Sequence, residues 1–162
     1  MTYFVTGATG FIGRHLVELL LEREGDIYVL TREGSTEKLE RLREQCDGTD
    51  RIKPVTGDLA QPQLGLDDAA KEQLAGVDHF FHLAAIYDIT ADETQNALAN
   101  VGGTQNAVDL ANALGAKRFH HMSSIAVAGN YDGWFTEDDF YEGQEFPSPY
   151  HRTSFSDSNF VR

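Results

Sequence analysis

Three glycines spaced three apart, Gly7, Gly10 and Gly13 in the run TGATGFIG, follow a short apolar run and open an amphipathic one near Phe11. That order of strand, glycines and helix is what a phosphate-binding turn needs. One glycine lets the backbone turn sharply, another lets it approach a pyrophosphate, and a third lets helix pack closely on strand. The helix N-terminus adds free N–H groups and the positive end of its dipole. Gly7, Thr9, Gly10, Phe11, Ile12 and Gly13 are therefore the first candidate binding set. Glycines that serve only the geometry of a tight turn are the alternative. The second apolar run ends in Thr31 and Arg32, where an NAD-binding protein usually carries an acid for the ribose 2′-hydroxyl. An acid would repel a 2′-phosphate, whereas a guanidinium would hydrogen-bond it. Arg32 thus favours NADP, with NAD still open and a solvated loop cation as the other reading.

These groups need a frame. The runs Tyr3 to Thr6, Ile27 to Thr31, Ile52 to Thr56, His79 to Ala84 and Lys117 to Ser123 are short and rich in β-branched or aromatic residues, as buried strands are. Between them Ile12, Leu16, Leu19 and Leu20 recur at helical spacing. Leu98, Val101, Val108 and Ala111 put an apolar stripe on a long helix from about Asp92 to Leu114. Alternating strands and helices, with connections too long for hairpins, predict an α/β fold. Its sheet is parallel, of about five strands, with right-handed crossovers and helices on both faces. Asn130 to Phe146 carries six acids, no base and many aromatics without clear periodicity, and reads as a long surface loop that packs on the domain or lids a site. Tyr87 likewise lines a pocket or fills a strand end.

A chain of 162 residues with 41% hydrophobic residues is long enough for one packed domain and short for two. We read residues 1–162 as that single domain. Thirteen Lys and Arg against 26 Asp and Glu leave a net charge of −13, which repels phosphate backbones and anionic headgroups. Nucleic acid and membrane surfaces are thus poor partners. Cys46 has no second cysteine to bridge, and the N-terminal run has neither the basic flank of an export signal nor the length of a membrane span. The expected location is the cytoplasm. No metal-ligand pattern stands out.

With TGATGFIG, the sequences GDL (Gly57 to Leu59), HLAA (His82 to Ala85), NVGGT (Asn100 to Thr104), SSIAVAG (Ser123 to Gly129) and PY (Pro149, Tyr150) fall in one order and spacing. Together they resemble the extended short-chain dehydrogenase/reductase family, also called the NAD-dependent epimerase/dehydratase family. HLAAIYD and HHMSSIAVAG are most similar to its fatty-acyl and thioester reductase-like branch. The resemblance covers nearly the whole chain and implies a Rossmann-type, doubly wound sheet. It implies that Asp58 and Leu59 flank the adenine, that Leu83, Ala84 and Ala85 line the cofactor beside the fourth strand, and that Asn100 organises the active-site helix and water. Ser124, five residues before Gly129, would be the catalytic serine, with Ser123 as the alternative. Tyr150 would be the acid/base, and Pro149 suits a helix start. The substrate would be a small carbonyl, acyl or sugar-nucleotide compound.

In that chemistry a serine hydrogen-bonds the substrate oxygen and a tyrosine gives or takes its proton, while hydride passes to or from the nicotinamide. A phenol with an ordinary pKa of about 10 is ionised only about one time in a thousand at pH 7. The family lowers that pKa with a lysine one helical turn later. Here position 154 is serine, and His151 and Arg152 are expected to point away from the tyrosine's face. A second departure is length, since the family's later strands and substrate domain are not in these 162 residues. The fifth strand would then be an unprotected edge, which a homodimer could cover. Three readings follow from the sequence: an NADP-dependent reductase or epimerase, a non-catalytic dinucleotide-binding or redox-sensing module, and an inactive fragment.

Overall fold

The computed structural model describes residues 1–46, 49–85 and 98–160. Five strands are present, β1 (Thr2–Thr6), β2 (Asp26–Thr31), β3 (Ile52–Thr56), β4 (His79–His82) and β5 (Phe119–His121). They form one parallel sheet in the order β3-β2-β1-β4-β5. Among the described residues five α-helices alternate with them: α1 (Phe11–Leu21), α2 (Thr36–Gln45), α3 (Asp68–Leu74), α4 (Gly103–Leu114) and α5 (Pro149–Phe160).

Strand residues alternate faces with a period of two, and the two cores follow from it. Tyr3, Val5, Ile27, Val29 and Ile52 point to one face, where Val17 and Leu20 of α1 and Leu39 and Leu42 of α2 cover them. Phe4, Tyr28, Val55 and Phe80 point to the other, against Leu74 of α3 and Ala107, Leu110 and Leu114 of α4. Each fully buried Leu, Ile or Phe contributes about 1.5–3 kcal/mol of transfer free energy. The sheet grows one way from β1 through β2 and β3, then reverses to β4 and β5. In such a sheet the crevice for a ligand opens at the carboxyl ends of the strands, where the order reverses.

The long helix is continuous where it is described, a π turn at Leu98–Gly102 running into the α-helix Gly103–Leu114; its expected start, residues 92–97, lies outside the described residues, as does Tyr87. The pair Gly102–Gly103 weakens the helical ladder at that junction. Gly103 also brings α4 close to Leu59, whose Cβ would stand 3.4 Å from a Cβ added there. The fourth and fifth strands are shorter than predicted, because Ser123–Ser124 already lead into a 3-10 turn at Ile125–Ala128. Among the described residues no helix is long and apolar enough to cross a membrane.

Candidate functional site

The glycine turn is built tightly enough that two of its glycines admit no side chain. Gly7 has φ +74°, and a Cβ on it would meet Ala84 N at 2.7 Å. A Cβ on Gly13 would lie 2.1 Å from Gly7 O, so α1 sits directly on the turn. Gly10 differs: its N–H donates to Gly7 O at 3.0 Å, and its Cβ position meets only that oxygen, at 3.2 Å. Thr9, Gly10, Phe11 and Ile12 are all exposed along the rim of the turn. The N-cap of α1 is Gly10, with no side-chain cap and no acid in the first turn. The N-terminal N–H groups and the positive dipole end therefore face the crevice without a competing side-chain acceptor, as an anion site requires. This cradle fits a dinucleotide diphosphate.

Behind the turn lies a buried polar bridge that the sequence reading missed. Thr6 Oγ1 is 2.8 Å from His82 Nδ1, and His82 Nε2 is 3.2 Å from Thr104 Oγ1. Thr6 Oγ1 also accepts from Ala84 N–H at 3.3 Å. One imidazole thus joins the ends of β1 and β4 to the start of α4. Burial, with a smaller contribution from neighbouring His121, pushes the pKa of His82 down to about 3, so the ring is neutral at physiological pH. The only available signal was the HLAA motif itself, which does not reveal the ring's partners. Leu83 and Ala84 are half-buried beside Gly7, and Ala85 is exposed.

Arg32 is exposed immediately after β2, and its side chain makes no ion pair among the described residues. Asp58 and Leu59 follow β3 on the same carboxyl edge, where Gly57 N–H donates to Thr31 O at 3.0 Å. Asp58 Oδ1 accepts from Ala60 N–H at 2.9 Å, and Leu59 O accepts from Asn106 Nδ2 at 2.8 Å.

The three residues expected to do chemistry sit on elements that pack together. α5, with half-buried Tyr150 in its first turn, lies against the Ile125–Ala128 turn, the Leu98–Gly102 turn and α4. Ser124 caps the first of these turns and buried Asn100 lies in the second. Ser124 Oγ accepts from Ala126 N–H at 3.2 Å, and its own proton has no acceptor among the described residues. Ser123 is placed differently. Ser158 Oγ donates its proton to Ser154 O at 2.9 Å, so the 2.7 Å contact between Ser123 and Ser158 has Ser123 donating. A groove of about 720 Å³ beside β5 is lined by Ser123, Ser124, His121 and Ser158 among others, and Tyr150 is not among its lining residues. His121 Nδ1 is buried there without a hydrogen-bond partner among the described residues.

Position 154 lies one turn after Tyr150 and supplies a carbonyl to Ser158 rather than a cation. His151 is nearer Tyr150 than helical spacing implied, with ring centroids 6.2 Å apart and edge-on, but its Nδ1 meets Ser148 Oγ at 2.7 Å. The acidic loop divides. Phe140, Tyr141 and Phe146 cluster on Phe155 of α5, at 4.5, 5.7 and 5.0 Å, while Trp134 is 94% exposed. Three of the loop's six aromatics therefore anchor it to α5.

Known proteins resemble this chain in sequence and fold. An NAD-binding family described as "male sterility protein" matches residues 5–160. A linear gramicidin synthase of Brevibacillus parabrevis is 38% identical over 140 residues, which are 80% of this chain and 3% of that protein. The L-2-aminoadipate reductase large subunit of Penicillium chrysogenum is 34% identical over 139 residues, 78% of this chain and 10% of that protein. Among solved structures, the terminal R domain from the myxalamid PKS-NRPS biosynthetic pathway superposes with a TM-score of 0.81 at 30% identity, covering 99% of this chain and 44% of that one. The chain thus spans less than half the length of each of these three. Because the match runs from the first strand through α5, the chain belongs to the NAD-binding male sterility protein family, as an N-terminal Rossmann portion of the extended short-chain dehydrogenase/reductases.

Proposed function

We propose that residues 1–162 are a single NAD(P)-binding domain that prefers NADP(H) and serves carbonyl or acyl reduction. The observation that carries this reading is the glycine cradle at the start of α1, where Gly7 and Gly13 have no room for a Cβ and no side chain caps the helix. Gly7, Thr9, Gly10, Phe11, Ile12 and Gly13 would hold the diphosphate, and Arg32 the 2′-phosphate. Asp58 and Leu59 would flank the adenine, and Leu83, Ala84 and Ala85 would line the middle of the cofactor. A bound nicotinamide supplies or accepts hydride. Ser124 would donate its proton to the substrate oxygen, Tyr150 would exchange a proton with that oxygen, and Asn100 would hold the helix junction in place. The commitment of Ser123 to Ser158 supports Ser124 over Ser123 in this role.

Ser154 favours a second reading, a dinucleotide-binding or redox-sensing module without turnover. Titration of parent and Ser154→Lys with NADPH and NADH, followed by an aldehyde-reduction assay, separates the two. We expect both proteins to bind NADPH more tightly than NADH. Reduction that appears or rises about tenfold or more with the lysine supports the enzyme, and binding without turnover in either supports the module. Equal affinities, or tighter NADH, would overturn the role given to Arg32. Exposed Met122 and Ile125 beside β5 further support a homodimer, and the relatives' names favour an acyl or carbonyl substrate over a sugar nucleotide. The cytoplasm remains the proposed location.

A further inference from the structure

Between β3 and α3 the backbone takes a form that side-chain-bearing residues avoid. Gln63 (φ 50°, ψ 35°), Leu64 (φ 57°, ψ 18°) and Gly65 (φ 65°) are consecutive and all left-handed. L-residues visit this region as isolated exceptions, mostly Asn or Asp. We propose that this left-handed turn is a positioning device that presets Asp58 and Leu59 for the adenine end of the dinucleotide, an inference that rests on the cofactor reading above.

The turn does two things together. It drives the Leu64 side chain fully into the core with Val55 and Leu66, and it aims the Leu64 carbonyl back at Asp58 N–H, 2.8 Å away. That carbonyl would stand 2.4 Å from a Cβ on residue 57, which gives Gly57 of the GDL motif a reason independent of the ligand. Leu64 N–H donates to Gln61 O at 2.9 Å, and Gln61 N–H to Asp58 O at 3.0 Å. The loop is thereby closed on Asp58. From the other side Asn106 of α4 holds Leu59 O. Asp58 and Leu59 are consequently fixed from two directions, on the carboxyl edge next to Thr31 and Arg32. Strained backbone held by its surroundings is characteristic of ligand clamps.

Gln63 is half-buried and outside the core, so substitutions there test the backbone rather than packing. Gln63→Asn tolerates a left-handed φ and Gln63→Val does not. A turn that must be restored on binding weakens the apparent affinity by the fraction of molecules that hold it. Calorimetric titration with NADPH and with 2′,5′-ADP, below the melting temperature of each variant, should show Gln63→Val about tenfold weaker for both ligands, and Gln63→Asn like the parent. A lower melting temperature with unchanged affinities in Gln63→Val would mean that the turn serves stability alone and would overturn the proposal. If Gln63→Val does not fold, Gln63→Ala takes its place, with a smaller loss expected and an unchanged affinity again overturning it. A parent that binds neither NADPH nor NADH would instead remove the cofactor reading, and the proposal with it.

Discussion

His82 shows how one side chain can hold the cofactor end of the sheet together. Its two nitrogens meet hydroxyls from β1 and α4 inside the protein, and a charge there would have to be desolvated. Its pKa is about 3 in the fold against an ordinary 6.5. The native state therefore binds the proton less well than the unfolded chain does. The stability this confers is fully present above pH 6.5 and is lost as pH falls toward 3. We expect urea-derived stability to drop between pH 7.5 and 5 by on the order of 1–2 kcal/mol from this residue. His82→Gln should be less stable at pH 7.5 but flatter over the same range. Equal slopes in parent and variant would assign the dependence elsewhere, first to His121, whose pKa is also lowered by burial.

At the scale of elements, helix ends decide where the glycine turn can sit. The chain after α1 turns back at Gly25, and the Arg51 guanidinium closes this corner by donating to Gly25 O at 2.8 Å, to Leu21 O at 3.0 Å and to Arg23 O. It satisfies carbonyls that the helix cannot and opposes the negative dipole end. Arg51→Ala should cost about 2 kcal/mol in urea denaturation, while NADPH affinity stays the same, because the cradle is at the other end of α1. The last helix is built differently. In α5 the hydroxyls of Thr153, Ser156 and Ser158 donate to the carbonyls of Tyr150, Arg152 and Ser154. Such back-bonding slightly weakens a helix, and Phe155 compensates by joining the loop aromatics.

At the scale of the whole molecule, β5 is an outer strand among the described residues, with apolar groups on view beside it. Ile125 is 94% exposed and Met122 45%, and His79, Phe81 and His120 form a stacked row on β4 and β5. An edge of this kind invites pairing. Light scattering should show a dimer fraction that rises with concentration and falls in Ile125→Asp; a monomer at every concentration would count against the homodimer. The glycine turn, the five strands and their alternation with helices could be read from residue order, because turn chemistry and apolar periodicity act over a few neighbouring residues. The same locality hides the π turn at Leu98–Gly102, because the apolar stripe runs unbroken across the glycine pair. Only the tertiary structure decided that His82 bridges Thr6 and Thr104, that the proton of Ser123 is committed to Ser158, and that Leu64 turns left-handed to reach Asp58. The first two depend on partners 76, 22 and 35 residues apart, brought together by packing of the sheet and its helices. The third is a short-range turn, but it is tolerated only because the core accepts the Leu64 side chain. Residue order alone carries no signal for which donor meets which acceptor once the chain has folded.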